Sequence, residues 1–269
     1  HGRRRQPVEQ ARRHPGARPV AQLAARALAD AGLQPADRVP MREAGRFADL
    51  LRTVSKILDV PLPSVYRKGL VPTLCKLPMS PPVLLISPDL EVHYKGKALR
   101  FLLGRALAYF LPGHLLAGLG SAGGLPGAPP EMASTGLLRT MVLGALAAGS
   151  DEAGTVSDTG VLEARDALLS RARKQDVTLV RELVAELEAR GESPNVGDWL
   201  SAVEMTANRA GLFLCNDLDV AVRTLEEERA QGLSWSRLSL DGAVDDLLRY
   251  VVSEPYFTLR RAIGAAIEE

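Results

Sequence analysis

Ala98-Leu99-Arg100-Phe101-Leu102-Leu103-Gly104-Arg105-Ala106-Leu107-Ala108-Tyr109-Phe110-Leu111 is the stretch on which the reading of this chain turns. Its apolar residues at 99, 102, 103, 106, 107 and 110 recur at three- and four-residue spacing, which predicts a strongly apolar helix that stops near Pro112-Gly113. Upstream the pattern changes. Ser64–Arg67, Thr73–Lys76 and Val83–Ser87 are short β-prone runs set between prolines 61, 63, 72, 78, 81 and 82, which predicts a small sheet over about 62–87. Val83-Leu84-Leu85-Ile86 is its clearest strand, and a Pro-bounded strand of this kind is expected to offer a binding-groove edge.

Helical periodicity fills the remainder. Leu23, Ala27, Leu28 and Ala31 mark a helix from Val20 to Gly32, and Phe47, Leu50, Leu51, Val54 and Leu58 mark a second from Met41 to Leu58. After a Gly- and Pro-rich loop at Gly118–Pro130, further helices are expected at Ser134–Ala148, Val161–Arg173, Val177–Arg190, Val196–Leu214, Leu218–Gln231, Leu240–Val252 and Pro255–Ile267. The fold class expected is therefore mainly α with a small β-sheet (α+β). A single domain over 19–269 follows a basic tail or linker at 1–18.

Composition narrows the function classes. With 269 residues and 46% hydrophobic content the chain can bury a large core. Its 33 basic and 32 acidic residues leave a net charge of +1, too little for a whole-domain field that would steer nucleic acid. The local exception is Arg3, Arg4, Arg5, Arg12, Arg13 and Arg18 against Glu9. No aromatic residues interleave there to stack bases, so a solvated tail is the expectation and no nucleic-acid partner is assigned. Cys75 and Cys215 lack a C-x-x-C partner, which suits a reducing compartment. No membrane span is expected, since Leu137–Ala148 is short and carries Arg139, and a cytoplasmic location is the default. Arginine is favoured over lysine and alanine is abundant, which hints at a G- and C-rich, bacterial type of genome. A start at His1 suggests a piece of a longer polypeptide.

Two segments carry chemistry by their likeness to known enzymes. Phe101–Phe110 resembles the metal-binding helix of gluzincin-type zinc peptidases, with Arg105, Ala106 and Tyr109 where the His, Glu and His of H-E-x-x-H fall. In that motif two His side chains one turn apart reach one zinc ion and the Glu activates water. About a hundred residues on, Val203–Leu212 is similar to the E-x-x-A-D helix of the peptidases that include the CAAX prenyl proteases and the bacterial membrane protease of the heat-shock response. Glu204 stands at the third-ligand position and Asn208 replaces the Asp that braces the metal helix. Leu62-Pro63-Ser64-Val65-Tyr66 looks like the strand opening before the cleft of these enzymes.

The resemblance implies a zincin-like domain with additional C-terminal helices, in which 98–111 is a pseudo-active helix and 196–214 the third-ligand-like helix. It also implies lost catalysis. Arg105 offers donors and a fixed positive charge where zinc needs a lone pair, and Ala106 cannot accept a proton from water. No metal, cofactor or catalytic residue is therefore assigned, and the pseudo-active set is Arg105, Ala106, Tyr109, Glu204 and Asn208. A buried Glu204 without a dication needs a partner, so an Arg105–Glu204 ion pair ringed by Tyr109 and Asn208 is expected. Read without the resemblance, Arg105 is a helix residue that extends to water, Tyr109 a core aromatic and Glu204 a solvated charge.

Other chemistry has little support. His1 and His14 lie in the tail, and His93 and His114 have no ligand partner at useful spacing. Ser121 and Ser150 lack a nucleophile elbow, and Gly118–Gly127 lacks the G-K-[ST] of a phosphate loop. The function expected is an inactive peptidase-like domain that binds a protein or peptide, the partner being an upstream domain of the same polypeptide or subunits of a complex. The alternatives are a scaffold or assembly domain, with Trp199, Trp235, Tyr250, Tyr256 and Phe257 as surface candidates, and a hydrolase with an unrecognised site.

Overall fold

Phe47, Ala48, Leu51, Val54 and Ser55 form one buried stripe on helix α1 (Gly45–Ile57), while Arg46, Asp49 and Arg52 face water, so the amphipathic period alone decides which side meets the core. The computed structural model of the chain describes residues 32–42, 45–69, 74–77, 81–117, 135–150, 157–192, 195–230 and 236–264. The expected basic tail, the Val20–Gly32 helix apart from its last residue, the Gly118–Pro130 loop and Trp235 lie outside the described residues.

The chain is mostly helical with a small three-stranded sheet. Strands β1 (Ser64–Arg67), β2 (Leu74–Leu77) and β3 (Val83–Ile86) are arranged in the order β1-β3-β2. β3 pairs parallel to β1, with Ser64 opposite Val83, and antiparallel to β2, with Leu74 opposite Ile86. This corrects the expected groove edge: Val83, Leu84, Leu85 and Ile86 form the central strand, hydrogen-bonded on both sides. The reason lies in the residues themselves. All four are apolar and buried, so both faces of the strand are covered, which suits an interior position and leaves an edge to its neighbours. Outside β1, Arg38 bridges Tyr66, whereas no further strand pairs with β2 among the described residues.

A short helix, α2 (Leu90–His93), answers no sequence expectation and leads into α3 (Gly96–Ala108), the helix of the opening segment. α3 is covered on nearly every side. Leu99, Leu102, Leu103, Ala106 and Leu107 join a core with α1 and the sheet, while Phe101 belongs to a second core with the C-terminal helices. Tyr109, just past its end, packs on a third cluster that includes Leu138, Leu200 and Val203.

The later helices follow the expected periodicity closely: α4 (Thr135–Gly149), α5 (Thr159–Arg171), α6 (Lys174–Arg190), α7 (Val196–Cys215), α8 (Leu218–Ala230), α9 (Leu240–Val251) and α10 (Glu254–Ala262). Their starts are set by caps. Asp158, Asn195 and Ser239 each accept from backbone amides of the first turn, and at the start of α6, three residues ahead of Val177, the Asp176 carboxylate accepts from the Arg173 amide at 3.3 Å. α7 ends at Asn216 in the left-handed region, where its amide turns back to Leu212. No helix among the described residues is long and apolar enough to cross a membrane.

α3 and α7 pack against each other more extensively than any other pair of elements. The contact is a backbone one. A methyl group on Gly211 would meet Phe101 Cδ2 and the Phe101 carbonyl oxygen at 2.7 Å, and one on Gly104 would meet the Gly211 Cα at 2.9 Å. Gly211→Ala is therefore expected to force the helices apart and lower unfolding stability by about 1–3 kcal/mol, as measured by urea denaturation. An unchanged midpoint would show that the helices separate freely.

Candidate functional site

Because α3 and α7 approach so closely, the polar side chains on their facing stripes are taken out of water. On α7 that stripe runs Glu204, Asn208, Gly211, one turn apart; Glu204 is 5% and Asn208 1% exposed. On α3 it carries Gly104 and Arg105, whose Cγ lies against Gly211. The two segments singled out by sequence are thus neighbours in space.

The ion pair expected between them does not form, and here the expectation is corrected. Arg105 pairs instead with Glu228 of α8, and each of the two side chains keeps 18% of its surface exposed. Glu204 is satisfied elsewhere: Ser236 Oγ donates to one carboxylate oxygen and the Arg237 amide donates to the other at 2.8 Å. Arg229 donates to Ser236 Oγ at 3.1 Å and holds that hydroxyl in place. The physical reason is competition. The segment entering α9 brings a neutral hydroxyl and a backbone N–H to Glu204, which leaves the guanidinium free to reach the acid on α8. Arg105 still feels Glu204 through space.

Tyr109 and Asn208 also depart from the expected ring around that pair. The Tyr109 ring receives Lys76 of β2, whose Nζ lies 3.8 Å from the ring centroid. The Asn208 amide nitrogen and oxygen are both buried and, among the described residues, have no hydrogen-bond partner. Ala106 faces away from this group altogether, into the core with α1 and the sheet. The result is a polar cluster of Lys76, Arg105, Tyr109, Glu204, Asn208 and Glu228 between otherwise apolar layers.

Its electrostatics follow from burial. Desolvation, then Arg105, push the Lys76 ammonium down to about 8, against the pull of Cys75, Glu228 and Glu204. Burial opposes the charge on Arg105 too, yet the pairing with Glu228 outweighs it and holds the guanidinium above its ordinary value. Burial pushes the Tyr109 hydroxyl up to about 12, with Arg105 opposing and the two glutamates adding. Tyr109 therefore stays a neutral ring at physiological pH, suited to stacking under a cation.

A zinc ion does not fit this donor set. Of the residues at the ligand-like positions only Glu204 carries a metal-binding group, and both its oxygens already accept from protein donors. Two cationic side chains occupy the space beside it. Among the described residues, no group of three His, Cys, Asp or Glu side chains could hold a metal.

The remaining sequence candidates are dispersed. His114 Nδ1 lies 3.1 Å from the Ala108 carbonyl and braces the end of α3, and Ser150 bonds Glu188 at 3.2 Å. Tyr256 is buried and donates to Asn216 Oδ1 at 2.7 Å, whereas Phe257 is half exposed. Cys75 and Cys215 are both buried, and neither is in a disulfide. Four residues at the site were missed by sequence reasoning: Lys76, Glu228, Ser236 and Arg237.

Removing one partner of the Arg105–Glu228 pair strands the other charge. Arg105→Met or Glu228→Leu alone is expected to lose about 3 kcal/mol, the low end for a buried pair because both side chains retain some solvent contact. The double variant Arg105→Met/Glu228→Leu is expected to recover most of that loss in urea unfolding. Additive losses would mean that the two charges do not depend on each other.

No known protein family matches this chain, nor does any curated protein or solved structure.

Proposed function

We propose that the chain is a catalytically silent, zincin-like peptidase domain that binds extended protein or peptide segments. The observation that carries this reading is the meeting of Arg105 and Glu204 in one buried cluster. They come from the two stretches that resemble the metal-binding helix and the third-ligand helix, and the helices that bear them share the most extensive contact between elements among the described residues. Cations occupy the place where those enzymes hold a dication, and Ala106 offers no carboxylate to activate water.

Binding rather than chemistry is supported by the sheet. β2 carries Lys76 into the cluster and is an outer strand, with no strand on its far side among the described residues. An extended segment added to β2 would gain main-chain hydrogen bonds and lie beside the cluster. The edge that suits this role is thus Leu74–Leu77, next to the central strand that sequence reasoning had favoured.

A second reading, that of an assembly domain, draws on the last two helices. Leu248, Val252, Phe257, Leu259 and Ile263 are all exposed there, at 42–73% of their surface. Amide exchange separates the two readings. With a binding hexapeptide drawn from a library that holds each sequence with a free-acid and with an amidated C-terminus, exchange is expected to slow at Leu74–Leu77 and to stay unchanged on α9 and α10. Slowing confined to α9 and α10, or the lack of any binder, would contradict the peptide-binding reading.

A further inference from the structure

Once the ion pairs of the cluster are assigned, three donors are left over. Lys76 has no carboxylate within ion-pair distance among the described residues, since Glu228 is taken by Arg105 and Glu204 by Ser236 and Arg237. Among the described residues its ammonium rests on the Tyr109 ring. The Arg105 Nε and the Asn208 Nδ2 are buried and lack acceptors among the described residues. Ammonium, guanidinium N–H and amide N–H are donors that a carboxylate accepts from, and a charged acceptor makes the strongest bonds with them.

We propose that this cluster is a carboxylate site, and that it takes the free C-terminal carboxylate of an extended peptide lying along β2. The inference rests on the peptide-binding reading above and adds the feature of the peptide that is recognised. Lys76 belongs to β2 itself, so a chain paired with that strand reaches the ammonium without leaving the strand. Lys76 and Tyr109 keep part of their surface exposed, and the Lys76 Nζ is not among the fully buried polar atoms that lack a partner. Charge favours a monoanion: Glu204 and Glu228 both act on Lys76 through space and would repel the second charge of a phosphate. Asn208 Oδ1, a buried acceptor without a partner among the described residues, matches a peptide N–H near the same terminus.

The site carries a pH signature. Without a ligand, desolvation and Arg105 hold Lys76 at about 8, opposed by Cys75, Glu228 and Glu204, with Tyr109 neutral beside it. A bound carboxylate favours the protonated amine, so binding raises this value and affinity falls as the solution becomes alkaline enough to remove the proton.

The experiment uses hexapeptide arrays anchored through their N-termini, each sequence printed once with a free acid and once with an amide at its C-terminus, and probed with the full chain. Near pH 7 the acids are expected to bind at least about tenfold more tightly than their amides. The preference should shrink near pH 10, well above the value of about 8 that Lys76 holds in the free chain. Lys76→Met should abolish it and Lys76→Arg should keep it, with melting temperature showing that both variants fold. The acid and amide comparison on the parent chain decides the matter even if a variant does not fold. Equal binding of acids and amides overturns the carboxylate site and leaves peptide binding standing. If no peptide of either ending binds, both readings fall.

Discussion

Gly104 and Gly211 let two helix backbones touch, and the polar character of the molecule's centre follows from that contact. At such a distance the side chains beside the glycines cannot be reached freely by water. Arg105, Glu204 and Asn208 must therefore find protein partners or go without. Two of them recruit partners from outside the helix pair: Arg105 draws Glu228 from α8, and Glu204 draws Ser236 and Arg237 from the segment leading into α9. The placing of the C-terminal helices against α3 and α7 is thus coupled to how these charges are satisfied.

Stability has other sources. α1, β3 and the opposite side of α3 form one apolar core, and α7 to α10 form another with Phe101. Buried ion pairs seldom stabilise a fold more than well-packed apolar residues of the same volume would. Here one ammonium lacks an ion-pair partner and one amide lacks any partner, among the described residues. An arrangement of that kind is poorly explained as a structural rivet. It is better explained as a place whose last partner comes from another molecule, which is the sense of the proposed function.

Most of the architecture was legible in the sequence because helical periodicity here is strong. Leu99, Leu102, Leu103, Ala106 and Leu107 announced α3, whereas the caps Asp158, Asn195 and Ser239, which set where later helices begin, emerged only from the structure. What escaped was pairing, which periodicity does not encode. Val83–Ile86 read as a secure strand, yet its place between β1 and β2 depends on long-range register. Glu228 was visible in part: it follows the buried stripe Ala221, Thr224 and Leu225 at helical spacing, while Glu226 and Glu227 point to water. Lys76 was not legible, because a lone lysine in a short strand reads as a solvated residue until a helix is known to lie over it. The partner of Glu204 depended on Ser236 and Arg237, outside any periodic element, and the sequence held no signal for it.

The proposed function holds that a guanidinium and an ammonium stand where the peptidases that the sequence resembles keep a divalent cation. The most direct measurement is the zinc content of the purified, dialysed chain by mass spectrometry, compared with Glu204→Ala. The account predicts far less than one zinc per chain in both proteins. One zinc per chain in the parent, lost in Glu204→Ala, would contradict it.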